Sequence, residues 1–124
     1  MRTGLSIVFI MGLFMFCIPV GAHHGNAEFA MTQSVSLQAT VTDFMWTNPH
    51  IVIYFDAKNE NGQVQHWSCE ASAPPHLHRA GWDRDSLKPG DHVTVVAHPA
   101  KNGQPVGILM KVVLADGHEL NAVL

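Results

Sequence analysis

Five short stretches with strand character, interrupted once by a helical segment, constrain this chain more than any other feature. Val35, Leu37, Ala39 and Val41 alternate with Ser36, Gln38, Thr40 and Thr42, the pattern of a half-buried strand. Ile51 to Phe55 (IVIYF) is a second strand, rich in β-branched and aromatic residues, set off by the turn chemistry of Asn48-Pro49. Asn61-Gly62 signals a hairpin into a third strand, Val64 to Ala71. There Trp67, Cys69 and Ala71 share one face, and His66, Ser68 and Glu70 share the other. Residues 75–81 (PHLHRAG) then read as a short helix, opened by Pro74 or Pro75 and closed by Gly81. His92 to His98 and Gly107 to Leu114 supply the last two strands. Val93, Val95 and Ala97 are expected inward on one, and Ile108, Met110, Val112 and Leu114 on one face of the other. Residues 118–124 add a short strand or a tail. This order is that of an all-β, five-stranded OB-like barrel with one short helix between strands 3 and 4. Closure would hide the edges that a flat five-stranded sheet exposes. A small open β-sandwich is the runner-up.

With 124 residues there is room for one domain. Its apolar residues are unevenly spread: 15 of the first 22 positions are apolar, against roughly 42% of the rest, which is ordinary for one small core. Arg2, the apolar run Leu5 to Val20, and Val20-Gly21-Ala22 with short residues at −3 and −1 form a secretory signal peptide. The run is near the length of a membrane anchor, but the cleavage pattern and the polar break at His23 favour removal. Phe16 stands where a lipobox needs a small residue before Cys17, which disfavours a lipoprotein. The expected layout is a signal peptide at 1–22, an arm at 23–33 and the barrel domain at 34–124. The exported protein is expected in the periplasm or secreted, with no stable membrane insertion after cleavage. Cys69 is then the lone cysteine and cannot form an internal disulfide; it reads as a buried, inert thiol, with a thiolate metal ligand as the sharper option.

After residue 22, six Lys/Arg face ten Asp/Glu, with no basic stripe, so nucleic acid is not an expected partner. The nine histidines, all after residue 22, are the unusual component. Cleavage after Ala22 makes His23 the N-terminus, whose free amine and ring can chelate one metal ion. A second imidazole completes the T-shaped nitrogen set of a histidine brace, which suits Cu(II). His24 adds another ring. A cut one residue earlier makes His23 second and His24 third, so the amine, two amide nitrogens and a ring can form a square-planar site. The plain alternative is a polar flank that serves cleavage alone. His50 lies on the loop between strands 1 and 2, and His98 begins the loop between strands 4 and 5. These loops rim the usual ligand face of an OB barrel. His66 and Glu70 share a strand face roughly 13 Å apart, too far to hold one ion together, and Glu70 is also a carboxylate that could orient an imidazole. His76, His78, His92 and His118 read as surface. Met31, Met45 and Met110 are scattered, without the methionine-rich run that favours Cu(I); Met110 is expected in the core.

The segments His23-His24-Gly25 with Ala27-Glu28-Phe29, and Trp46-Thr47-Asn48-Pro49-His50, resemble a family of small exported bacterial proteins known as a domain of unknown function. Trp67 with Glu70, Gly81-Trp82 and Leu87-Lys88-Pro89-Gly90-Asp91 extend the resemblance over nearly all of the mature chain. It implies a secreted β-barrel and no established activity.

Gly-x-Ser-x-Gly, His-Glu-x-x-His, a glycine-rich phosphate loop and CxxC spacing are all missing, so the expectation is not an enzyme. The leading expectation is a periplasmic copper buffer, carrier or chaperone. Its ligands are His23, His24 and His50, with His98 or Glu70 in reserve and Cu(II) as the ion. Ligation needs unprotonated rings and amine, so affinity should fall as pH drops through about 6.5. The alternative is a non-enzymatic OB module whose Trp46, Tyr54 and Trp67 hold a sugar, a peptide or an envelope protein.

Overall fold

Alternating apolar side chains produce the strands they predict, and their pairing closes a barrel. The structure is a computed structural model and describes residues 26–123. Strands β1 (Val35–Met45), β2 (Val52–Lys58) and β3 (Val64–Glu70) are followed by helix α1 (Pro74–Arg79), then β4 (His92–Pro99), β5 (Val106–Val113) and the short β6 (Glu119–Asn121). β1 pairs antiparallel with both β2 and β4, β2 with β3, and β4 with β5. Parallel pairing of β3 with β5, through Ser68–Val106, Cys69–Gly107 and Glu70–Ile108, shuts the wall. This is the five-stranded barrel with one helix between strands 3 and 4, and β6 extends β5 as a sixth strand.

Two bulges give the strands the bends that closure needs. In β1 the register shifts between Val41 and Asp43, leaving Thr42 without a partner. Phe44 thereby faces the interior with Val41. In β5 the register skips Met110, since Val96 pairs with Lys111 and Ala97 with Leu109. The expected inward face of β5 is corrected accordingly: Gly107, Leu109 and Val112 are buried, while Ile108, Met110 and Leu114 are only half-buried. A one-residue insertion swaps the faces of everything on one side of it, and simple alternation misses it.

Ile51, Ile53, Phe55, Val95 and Val112 fill the interior. Gly107 lies at the closing seam because nothing larger fits. A Cβ there would stand 2.9 Å from the His98 carbonyl oxygen and 3.2 Å from Cys69 Sγ. Helix α1 covers one end. Pro74 begins it where no intrahelical N–H is needed. Gly81, at φ +95°, turns the chain back, with Trp82 N–H donating to the Leu77 carbonyl. Six residues cannot hold a helix in water unaided. Burial of Leu77 and Trp82 supplies the rest, with Trp82 Nε1 donating to the Asn121 carbonyl at 2.7 Å.

The described part of the arm is docked. Phe29 bridges Ala100, Ala30 N–H donates to Pro99 O at 2.8 Å, and Lys101 N–H donates to Glu28 O at 2.9 Å. No described helix is long and apolar enough to cross a membrane.

Candidate functional site

The seam between β3 and β5 also organises the polar surface. Glu70 pairs with Ile108, and Ile108 pairs with His98, so Glu70, Ile108 and His98 form one row across three strands. At the usual strand spacing, the α-carbons of Glu70 and His98 are about 10 Å apart. Over this row lies a pocket of about 550 Å³. It gathers residues distant in sequence: His50 from the β1–β2 loop, Glu70 from β3, His76 from α1, His98 from β4, and Glu28 and Met31 from the arm.

Among the described residues three imidazoles line it, and two of them have a fixed proton position. His50 Nδ1 contacts Glu70 Oε1. A carboxylate accepts, so Nδ1 carries the hydrogen and Nε2 keeps its lone pair in the neutral ring. His98 Nδ1 donates to the Gln33 carbonyl at 2.6 Å, which leaves its Nε2 in the same state. Histidines that ligate metals are held this way, one nitrogen donating to oxygen and the other presented. His76 Nδ1 lies 3.3 Å from Ser72 Oγ. Among the described residues, no three His, Cys, Asp or Glu side chains are grouped closely enough to hold a metal ion together.

Of the residues singled out from the sequence, His50, His98 and Glu70 meet in this pocket. Glu70 is engaged with the His50 ring. His23 and His24 lie outside the described residues. His76 is exposed, as expected, yet it joins the pocket; the direction of α1 decides this, and no local signal in the sequence carries it. Glu28 and Met31 were likewise not singled out. His66 pairs with Asp56 at 2.5 Å, and His92 Nδ1 lies 3.1 Å from Thr40 Oγ1, both away from the pocket. Cys69 is a free thiol with no exposed surface, and burial pushes it up to about 12. It does not line the pocket.

A larger groove of about 790 Å³ runs beside the first half of β1, the end of β2 and the start of β4, with His92 as its one imidazole. A third, of about 520 Å³, lies where the outer faces of β2 and β3 meet Gln104–Val106. Tyr54 is exposed there, whereas Trp67 stacks on Phe55 at 6.1 Å and Trp46 packs edge-on to Phe44. The three aromatic residues do not make one platform.

A family model described as a family of unknown function (DUF6152) matches residues 12–110. No curated protein and no solved structure matches the chain.

Proposed function

The chain belongs to that family of unknown function, and we propose, from its own residues, that it is an exported copper-binding protein acting as a buffer, carrier or chaperone. The observation that carries this reading is the single pocket holding His50, His76 and His98. Two of those rings are tied through Nδ1 to oxygen acceptors, which leaves Nε2 as the ligating nitrogen.

The described residues alone do not form a three-ligand cluster. The missing donors are the ones the leader would release. Cleavage after Ala22 frees the amine and ring of His23, next to the ring of His24. Only three residues lie between His24 and Glu28, a reach of at most ~14 Å, and Glu28 already lines the pocket. In this reading His23 and His24 bring the amine and rings, and His50, held by Glu70, completes a nitrogen-rich set suited to Cu(II). His98 stands on the other side of the pocket as a further ring. In this reading the protein holds and passes an ion in the periplasm or outside the cell.

The test starts with native and denaturing mass spectrometry of the exported protein, which fixes the terminus and any bound ion together. Cu(II) titration of that protein should show one tight equivalent. His23→Ala and His50→Ala should each weaken it on the order of tenfold or more. Micromolar-or-weaker affinity that neither variant changes would remove the copper reading and leave a non-enzymatic module that binds an organic or protein partner.

A further inference from the structure

Met31 lines this pocket, and neither core packing nor Cu(II) chemistry explains it there. It is 40% exposed and contributes nothing to the core. Its position is nevertheless fixed. It sits in the tight turn Ala30–Gln33, closed by Gln33 N–H donating to Ala30 O at 2.9 Å. Ala30 N–H ties one end of that turn to Pro99 O at 2.8 Å, and His98 Nδ1 ties the other to Gln33 O at 2.6 Å. The same imidazole that lines the pocket therefore anchors the turn that carries Met31, itself a lining residue. Met45, also exposed, and the half-buried Met110 do not line it.

Ligand softness decides what such a mixture can hold. Thioether sulfur is a soft donor that selects Cu(I), imidazole suits either oxidation state, and carboxylate favours harder ions. The pocket offers all three, from Met31, the histidines, and Glu28 and Glu70. We propose that Met31 is a thioether ligand that lets this pocket hold Cu(I) as well as Cu(II), alongside its imidazoles. The inference rests on the copper reading above and adds the oxidation state and the residue that sets it. No redox step is involved, because each ion arrives in the state in which it is bound.

The experiment uses the exported protein without oxygen. Cu(I), kept reduced with ascorbate, is partitioned between the protein and a chromophoric Cu(I) chelator, and Cu(II) affinity is measured in parallel. Met31→Leu keeps volume and apolar character, so the fold is retained. It should weaken Cu(I) on the order of tenfold or more, leave Cu(II) affinity within about twofold, and remove a sulfur scatterer from the copper X-ray absorption spectrum. Met45→Leu should change neither affinity. If both ions bind and Met31→Leu alters neither the Cu(I) affinity nor the spectrum, this inference is overturned and the copper reading stands. If neither ion binds, both fall.

Discussion

Cys69 illustrates what burial does to one side chain. It lies on the inner face of β3 with no exposed surface, and the protonated thiol is its native form, pushed up from 9.0 to about 12. The folded state therefore holds this proton more tightly than the unfolded chain does. The resulting stability is complete below about 9 and is lost as pH rises from there towards about 12. We expect unfolding free energy to decline across that alkaline window by up to about 1.4 kcal/mol per pH unit, and Cys69→Ala to flatten the decline. Urea unfolding at several pH values checks this; an equally steep slope in the variant would assign it to other groups. At this scale much was legible. Strand alternation, with Cys69 the lone cysteine after residue 22, points to a buried thiol. Glu70 was legible as a carboxylate that could orient an imidazole, but not which one, and the Gln33 partner of His98 was not legible at all, because Glu70 is 20 residues from His50 and Gln33 is 65 from His98. Such pairs follow from the closed fold and from no spacing in the chain.

Helix α1 and strand β6 are linked through one residue, Trp82. The helix has six residues and the strand three, neither long enough to persist unaided. Trp82 links them by donating its backbone N–H to Leu77 O of the helix and its indole N–H to Asn121 O of the strand, while its ring packs against Phe44 of β1 with centroids 6.0 Å apart. Trp82→Phe keeps an aromatic ring in place and deletes the donor. We expect a loss of about 1–2 kcal/mol, seen as a lower thermal midpoint, with amide exchange rising first in α1 and β6. A midpoint equal to wild type would show that the ring alone holds the two elements. The helix was legible from Pro74, Pro75 and Gly81, each of which has a local conformational reason. The bulges at Thr42 and Met110 were not. Both bulged strands keep their apolar residues on either side, and only pairing with a neighbour reveals the extra residue.

For the molecule as a whole, closure is the step on which everything else rests. β3 and β5 share three residue pairs, whereas β2 and β3 share seven and β1 and β4 six. The short seam relies on Gly107, whose missing side chain lets Cys69 and Ala97 approach. We expect Gly107→Ala to cost about 1–3 kcal/mol, measured by chemical denaturation, and to loosen the row Glu70–Ile108–His98 more than the β1–β2 hairpin. An unchanged midpoint would show that the seam can yield without cost. The barrel class was legible because strand order and the place of the helix leave few topologies. The pocket was half legible: His50 and His98 pointed to it through the loops of an OB barrel, while His76, Glu28 and Met31 arrive only once helix and arm are docked.

One consequence follows from where the pocket lies. His50 with Glu70 belongs to one lip of the join, and His98 with the arm to the other. An occupant gripping both lips would act as a rivet through the thinnest part of the wall. A loaded molecule would then be the stiffer one, and to surrender its cargo it would first have to let that wall breathe.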